Sequence, residues 1–159
     1  LPAPGFWGGE DDAKPSDITE GFEYDLASEI ATRLGYDGFS LKNVSFDALV
    51  AGKAKGYDLA LSQVSITPER KKVVGFSVPY FESDQGILVK TGTTVDESNI
   101  KTIQWGVQGA TTGQTFLKEE VKPDKKPRER NFARILYRLK KFFSGNFGKP
   151  CDIQKVSGC

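Results

Sequence analysis

The sequence predicts an α/β fold in which a mixed, mostly parallel sheet is flanked by helices. Two features lead to this prediction. Amphipathic segments with helical spacing alternate with short apolar runs that are typical of strands. Two of those runs end in clusters of small polar residues that lead directly into a helix start. Strands alternating with helices favour a parallel sheet, because each connecting helix returns the chain to the same edge.

The N-terminal part of the chain predicts a loop followed by a helix. Residues 1–20 are rich in Pro, Gly and Asp and contain the aromatic pair Phe6-Trp7. In the segment GFEYDLASEIATRLG, apolar residues recur every four positions until Gly35, which predicts an amphipathic helix. Acidic residues lie early in this segment and Arg33 lies late, as the helix dipole favours.

The next elements are short. Residues 39–44 predict a strand, and Ser45 is a suitable N-cap for a second helix that we expect to end near Gly56. Residues 57–61 then predict a buried strand. The apolar and aromatic residues 73–80 follow later in the chain, and residues 86–89 predict a further strand.

Residues 62–70 form a polar elbow between the strand at 57–61 and the next helix. Thr67 is the expected N-cap, Pro68 suits the first helical position, and Arg70 lies in the first turn. Hydroxyl groups and a guanidinium therefore converge at a strand end, beside free N–H donors. Such a place suits a small anion, and Arg70 can hold a carboxylate in a bidentate fork. The alternative is an ordinary helix cap with a solvated arginine.

A similar arrangement recurs further along. Residues 91–98 are a polar connector and the best candidate for a hinge, and residues 103–107 predict a strand. The elbow at 109–113 then leads into a helix. It has neither the Gly-Lys-Ser/Thr of a phosphate loop nor the spaced glycines of a dinucleotide fingerprint, so we do not expect nucleotide binding.

The C-terminal part of the chain is basic. Residues 131–143 predict an amphipathic helix with a basic face, which is typical either of a helix on an anionic membrane or of a core-facing helix with a solvated surface. Only Asp124 and Glu129 oppose the positive charges between residues 122 and 149. Those charges belong to Lys122, Lys125, Lys126, Arg128, Arg130, Arg134, Arg138, Lys140, Lys141 and Lys149.

Composition narrows the functional classes. The 159 residues suffice for one domain, and no apolar run is long enough to span a bilayer. The chain has no histidine and only two cysteines, so we expect no zinc site, no His-dependent catalysis and no cofactor. A disulfide between Cys151 and Cys159 is a hypothesis for an exported protein. Because the chain contains no methionine, we expect it to be processed or a fragment.

Several motifs together resemble one family. The segments GFEYDLASEIATRLG, VSFDALVAG, YDLALSQVSITPERKKVVGFSVPYF and WGVQGATTGQTF occur in this order within residues 4–117. In that stretch the chain resembles the polar amino-acid-binding proteins of bacterial ABC importers. The resemblance implies the type II periplasmic-binding fold, a clamshell whose two α/β lobes close around one ligand.

The resemblance also implies roles for residues of the first elbow. The carbonyl of Gln63 and the side chain of Ser65 would meet the α-ammonium of an amino acid. Arg70 would fork the α-carboxylate, and Ser62 would line the side-chain pocket.

Other roles follow from the same resemblance. Thr112 and the backbone around Thr111 would complete the capture of the carboxylate from the second lobe. Phe46 and the Phe6-Trp7 loop, through Trp7, would pack over the ligand.

The chain also departs from the family pattern. The family's first strand and the later part of its second lobe find no counterpart here. We therefore expect a first lobe without its first strand in residues 1–92, the start of an incomplete second lobe in 93–121, and a basic helix and Cys-containing tail in 122–159. Residues 153–156 are a candidate to pair at a sheet edge, and self-association is another way to fill the gap. We expect weak or no binding by this chain, and submicromolar affinity would refute that.

The leading prediction is thus a binding protein and not an enzyme. Its expected partners are a free polar amino acid and an ABC-transporter permease, with no nucleic acid. We expect a periplasmic or extracellular location, tethered to the cell envelope in the full-length protein. One alternative is an enzyme on the same fold, of the dehydratase or lytic transglycosylase type, with Glu69 as its nearest acid. A second alternative is membrane association through residues 131–143.

Overall fold

A computed structural model describes residues 5–9 and 13–129 of the chain, together with the backbone of residues 151–155. The chain divides into two compact units, Leu1–Phe76 and Ser77–Cys159. The boundary of these units lies before the lobe boundary expected at residue 92, and the assignment of lobes stays a prediction. None of the helices in the described ranges has the length and apolar character that a membrane span requires.

In the first unit, helix α1 spans Phe22–Arg33 and confirms the amphipathic helix predicted there. Its first turn is capped by the preceding loop, since the N–H groups of Phe22 and Glu23 donate to the carbonyls of Gly5 and Phe6. Gly21 makes this approach possible. Its φ is 121°, and a Cβ at this position would lie 2.7 Å from the carbonyl carbon of Phe6.

Two shorter helices follow in this unit. Helix α2 spans Phe46–Val50, with Ser45 as the predicted N-cap, and helix α3 spans Pro68–Lys71. The prediction that α2 continues to Gly56 is wrong. The chain turns at Gly52, whose φ of 67° lies in the left-handed region and ends the helix. Among the unit's described residues, the buried hydrophobic ones are Trp7, Ile18, Ala31 and Leu49.

The strands predicted at residues 39–44 and 57–61 are also wrong. Among the described residues of the first unit, neither segment takes part in a β-ladder. Phe39 and Leu59 are exposed. The physical reason is that a strand requires a neighbour for its backbone N–H and C=O groups, whereas an apolar run specifies only a local preference.

The second unit contains two pairs of strands. Strand β1, Gly86–Lys90, was predicted and is antiparallel to β4, Cys151–Lys155, with Leu88 opposite Ile153. The prediction that a segment around residues 153–156 pairs at a sheet edge is thus confirmed for residues 153–155. Strand β2, Gly106–Val107, is shorter than predicted and runs parallel to β3, Arg128–Glu129.

The second unit has a tryptophan-centred core. Helix α4, Thr112–Phe116, confirms the predicted helix and continues as a π-helical turn, Leu117–Val121. Trp105 packs with Leu117 and Val121 and donates from Nε1 to the carbonyl of Ile100 at 2.9 Å. Residues that pack around them are Ile87, Val95, Ile100, Ile103, Val107 and Phe116. The predicted helix at 131–143 and Cys159, with the disulfide hypothesis, lie outside the described residues.

Candidate functional site

Arg70 is the most buried group of the first elbow. Only 9% of the residue is exposed, although it lies in a helix of four residues. Its backbone N–H donates to Thr67 Oγ1 at 3.3 Å, so the predicted N-cap is confirmed and fixes where the arginine leaves the helix. Its Nη1 donates to the carbonyl of Ser65 at 2.8 Å. The elbow therefore folds back on its own arginine, and the solvated alternative is wrong for Arg70.

The guanidinium of Arg70 lies against an aromatic ring and is partly removed from solvent. The guanidinium carbon lies 5.6 Å from the centroid of the Phe46 ring, within the range of a cation–π contact. Burial lowers the pKa of Arg70. A guanidinium nevertheless stays protonated at any physiological pH, because its ordinary pKa lies far above that range. A partly desolvated, permanently charged fork of N–H donors is a strong binding site for a carboxylate.

A second cluster, absent from the sequence prediction, joins the elbow to helix α1. Glu23 is fully buried, and its two carboxylate oxygens both contact Gln63. Oε1 accepts from the Gln63 backbone N–H at 2.8 Å, and Oε2 accepts from Gln63 Nε2 at 2.6 Å. The sequence offered one signal: Glu23 precedes Ala27 and Ala31 by four and eight positions, and Ala31 is buried.

Phe6 and Trp7 lie against the start of α1. The rings of Phe6 and Phe22 meet edge to face, 5.8 Å apart, and the N–H of Gly8 donates to the carbonyl of Glu20 at 2.8 Å. Trp7 is 3% exposed, and its Nε1 has no hydrogen-bond partner among residues 5–9 and 13–129. Its role at a ligand stays a prediction.

The remaining polar groups of the elbow differ in exposure. Ser62 is half-buried and Ser65 is exposed. Their hydroxyls make no hydrogen bond to another residue in the described part of the chain. Glu69, the acid considered for an enzyme, is exposed in the first turn of α3.

In the second unit, Thr111 and Thr112 lie at the start of α4. The Thr111 hydroxyl donates to the carbonyl of Gln108 at 2.8 Å and accepts from the backbone N–H of Gln114 at 3.2 Å. Thr112 Oγ1 accepts from Gln85 Nε2 at 3.0 Å. The Thr111 side chain thus serves the fold, whereas the Thr112 hydroxyl keeps its proton for donation.

Gln114 fastens this second elbow to strand β3 and was missed by the sequence prediction. Its Oε1 accepts from the backbone N–H of Ala110 at 3.2 Å, and its Nε2 donates to Glu129 Oε1 at 2.6 Å. Ala110 has a φ of 57°, in the left-handed region that an alanine seldom adopts. The amide of Gln114 helps to hold this strained turn in place.

The structure therefore brings some of the predicted site residues together within each unit. In the first unit, Arg70 contacts both the carbonyl of Ser65 and the ring of Phe46, and Gln63 is held by Glu23. In the second unit, Thr111 and Thr112 share one elbow. Within the described ranges, no three His, Cys, Asp or Glu side chains converge as a metal site would require.

Comparison with known proteins gives a family match over most of the chain. Residues 11–142 match the family model of the bacterial extracellular solute-binding proteins, family 3. The arginine-binding periplasmic protein of Mannheimia haemolytica is 37% identical over 115 residues, which cover 68% of this chain and 46% of that relative. No solved structure was found that matches the chain.

Two further relatives come from Escherichia coli (strain K12). ABC transporter arginine-binding protein 1 is 31% identical over 101 residues, covering 63% of this chain and 41% of the relative. The L-cystine-binding protein TcyJ is 35% identical over 105 residues, covering 64% and 39%. The chain spans less than half the length of each of these relatives.

Proposed function

The chain belongs to the bacterial extracellular solute-binding proteins of family 3, and from that premise we propose that it binds a polar L-amino acid for an ABC importer. Membership confirms the resemblance inferred from the motifs and gives the type II periplasmic-binding fold. We place the protein in the periplasm or outside the cell, with a permease as its partner. The ligands named for the relatives, arginine and L-cystine, are the first to test.

The buried guanidinium of Arg70 is the observation that carries this proposal. A buried charge without function would lower the stability of the fold, because the desolvation of the charge opposes folding. The guanidinium donates from Nη1 to the carbonyl of Ser65 and lies over the ring of Phe46. These two contacts fix the orientation of a planar cation, and a positive charge held in a fixed orientation attracts an anion. The α-carboxylate of an amino acid matches its fork geometry.

The other roles extend this assignment. In the first elbow, Gln63 and Ser65 receive the α-ammonium, and Ser62 lines the side-chain pocket. Phe46 and Trp7 pack over the ligand, and the ring of Phe46 also lies against the guanidinium. For Thr112 and the backbone at Thr111 we keep the ligand-binding roles that the family resemblance implies.

A titration followed by protein NMR tests the proposal on the full chain. We expect arginine, L-cystine or another polar amino acid to shift amide resonances of residues 62–70, with an affinity in the millimolar range, equivalent to about 4 kcal/mol. Arg70→Lys should weaken binding by about tenfold or more, since it keeps the charge but loses the fork.

The matched control is Arg33→Lys, an exposed arginine paired with Glu29 on helix α1. This substitution also replaces a guanidinium by an ammonium group, but at the surface, and it should leave the affinity for the amino acid unchanged. A wild-type spectrum that no amino acid alters, at concentrations reaching the millimolar range, would overturn the proposed function. Equal weakening by both substitutions would overturn the role of Arg70.

A further inference from the structure

The contact between Glu23 and Gln63 joins two segments that lie 40 positions apart in the sequence. A carboxylate with no exposed surface is costly to bury unless its oxygens are hydrogen-bonded. Both oxygens bind the same partner residue, one through the backbone N–H and the other through the side-chain amide. The pair therefore holds the conformation of Gln63 as well as its position.

Gln63 is held in a conformation that it would not choose alone. Its φ is 45°, in the left-handed region where a side chain crowds its own backbone. Hydrogen bonds to a carboxylate are stronger than those between neutral groups, so two of them can maintain the strained turn. Strained backbone that the surroundings enforce is frequent where a protein binds its ligand.

The two hydrogen bonds from Gln63 to Glu23, which we call the clamp, also determine which polar groups of Gln63 are available to a ligand. Glu23 takes the backbone N–H and the side-chain nitrogen, both donors. The backbone carbonyl has no hydrogen-bond partner within residues 5–9 and 13–129, and Gln63 as a whole is exposed. What the residue offers to a ligand is therefore an acceptor, whereas Arg70 on the same elbow offers donors.

We propose that Glu23 is a positioning residue for ligand binding, which holds Gln63 in its left-handed turn so that the Gln63 carbonyl accepts a hydrogen bond from the ligand's α-ammonium. The inference rests on the proposed amino-acid binding. It adds that the elbow's preference for an ammonium group over a neutral one originates in a buried carboxylate that does not itself touch the ligand.

The test compares two ligands with the same carboxylate and side chain. One is the amino acid that gives the largest NMR shifts, and the other is its des-amino acid, which lacks the α-ammonium. The readout is a ratio, the dissociation constant of the des-amino acid divided by that of the amino acid. A substitution that removes the hydrogen bond to the charged ammonium should reduce this ratio by about tenfold. A merely structural role would weaken both ligands equally and leave the ratio unchanged.

Three substitutions separate the contributions. Glu23→Gln keeps the size but replaces one acceptor oxygen by a donor that opposes an N–H of Gln63, so the ratio should fall. Gln63→Ala removes the side-chain bond from an exposed residue and should fold, with a lower ratio. Gln63→Gly should keep more of the ratio than Gln63→Ala, because glycine adopts the left-handed turn without a clamp.

Glu29→Gln is the control, since Glu29 lies on the same helix but is exposed and pairs with Arg33. The ratio should be that of the wild type. Hydrogen exchange of the Gln63 amide, measured without ligand, reports the clamp itself and should accelerate in Glu23→Gln.

The possible failures are distinct. If the wild type binds amino acids but the ratio survives Glu23→Gln or is equal in both Gln63 variants, the positioning role is overturned and the proposed function stands. If the wild type binds neither ligand, the proposed function is overturned and the positioning role with it. A protected Gln63 amide would then assign Glu23 to the fold alone.

Discussion

Arg70 lies in the first elbow and Glu23 on helix α1, and these two buried residues of opposite charge serve the elbow in different ways. The guanidinium of Arg70 is oriented by the carbonyl of Ser65 and the ring of Phe46. Glu23 has its charge taken up by two N–H groups of Gln63. The elbow thus combines a donor group that can receive a carboxylate with an acceptor group that can receive an ammonium. An α-amino acid carries both.

Ala110 permits a prediction about strain at the second elbow. With a φ of 57°, replacement by glycine should remove the clash of the Cβ with the backbone. The relief of about 1–2 kcal/mol is partly offset by the greater freedom of glycine in the unfolded chain. We expect Ala110→Gly to raise the free energy of unfolding of the second unit by about 0.5–1 kcal/mol, measured by urea denaturation.

The control for Ala110 is an alanine with ordinary helical backbone. Ala48 lies inside α2, where glycine should lower stability by about 0.5–1 kcal/mol. If Ala110→Gly raises and Ala48→Gly lowers the free energy of unfolding, the difference originates in the backbone conformation of the two alanines. A destabilising Ala110→Gly would show that the turn carries no strain.

At the scale of secondary structure, the sequence predicted those features that local residues determine. Helix α1, the caps at Ser45 and Thr67 and strand β1 follow from spacing and from short polar side chains. The predicted strands at 39–44 and 57–61 failed because ladder partners are not encoded in the segment that needs them.

The candidate site was predictable to a similar extent. The side chains of the elbow could be named from their order, because a cap, a proline and an arginine have fixed positions in a helix start. The clamp between Glu23 and Gln63 could not. Glutamine has no special preference for the left-handed region, and an acid in a first turn already has a sufficient explanation in the helix dipole.

Gly21 permits a prediction about how the loop before α1 is fixed. Any side chain here would meet the carbonyl of Phe6, and the φ of 121° disfavours every residue except glycine. We expect Gly21→Ala to destabilise the first unit by about 2 kcal/mol or more, because both the contact and the backbone angle must change. The midpoint of urea denaturation measures the loss.

Gly38→Ala is the matched control for Gly21. A Cβ at Gly38 meets no atom within 4 Å, and its backbone is not in the left-handed region. Its effect should lie within about 0.5 kcal/mol of zero. If both substitutions were equally harmless, the cap formed by Gly5 and Phe6 would not contribute to stability.

At the scale of the whole molecule, the two units differ in how they are held together. The described part of the first unit has helices and a small core but no β-ladder, whereas the second has two pairs of strands and a core around Trp105. Backbone hydrogen bonds in ladders and apolar burial both contribute to stability. We therefore expect the first unit to unfold at the lower urea concentration.

The two tryptophans of the chain make this prediction measurable, since Trp7 lies in one unit and Trp105 in the other. Trp105→Phe leaves fluorescence only from the unaltered first unit, and Trp7→Phe leaves it only from the unaltered second. Each variant thus reports on the unit that it does not change. We expect a lower midpoint in Trp105→Phe, whereas coincident midpoints would mean that the units unfold as one cooperative structure. In that case a ligand bound at Arg70 should stabilise both signals equally, and in the expected case the Trp7 signal should respond more strongly.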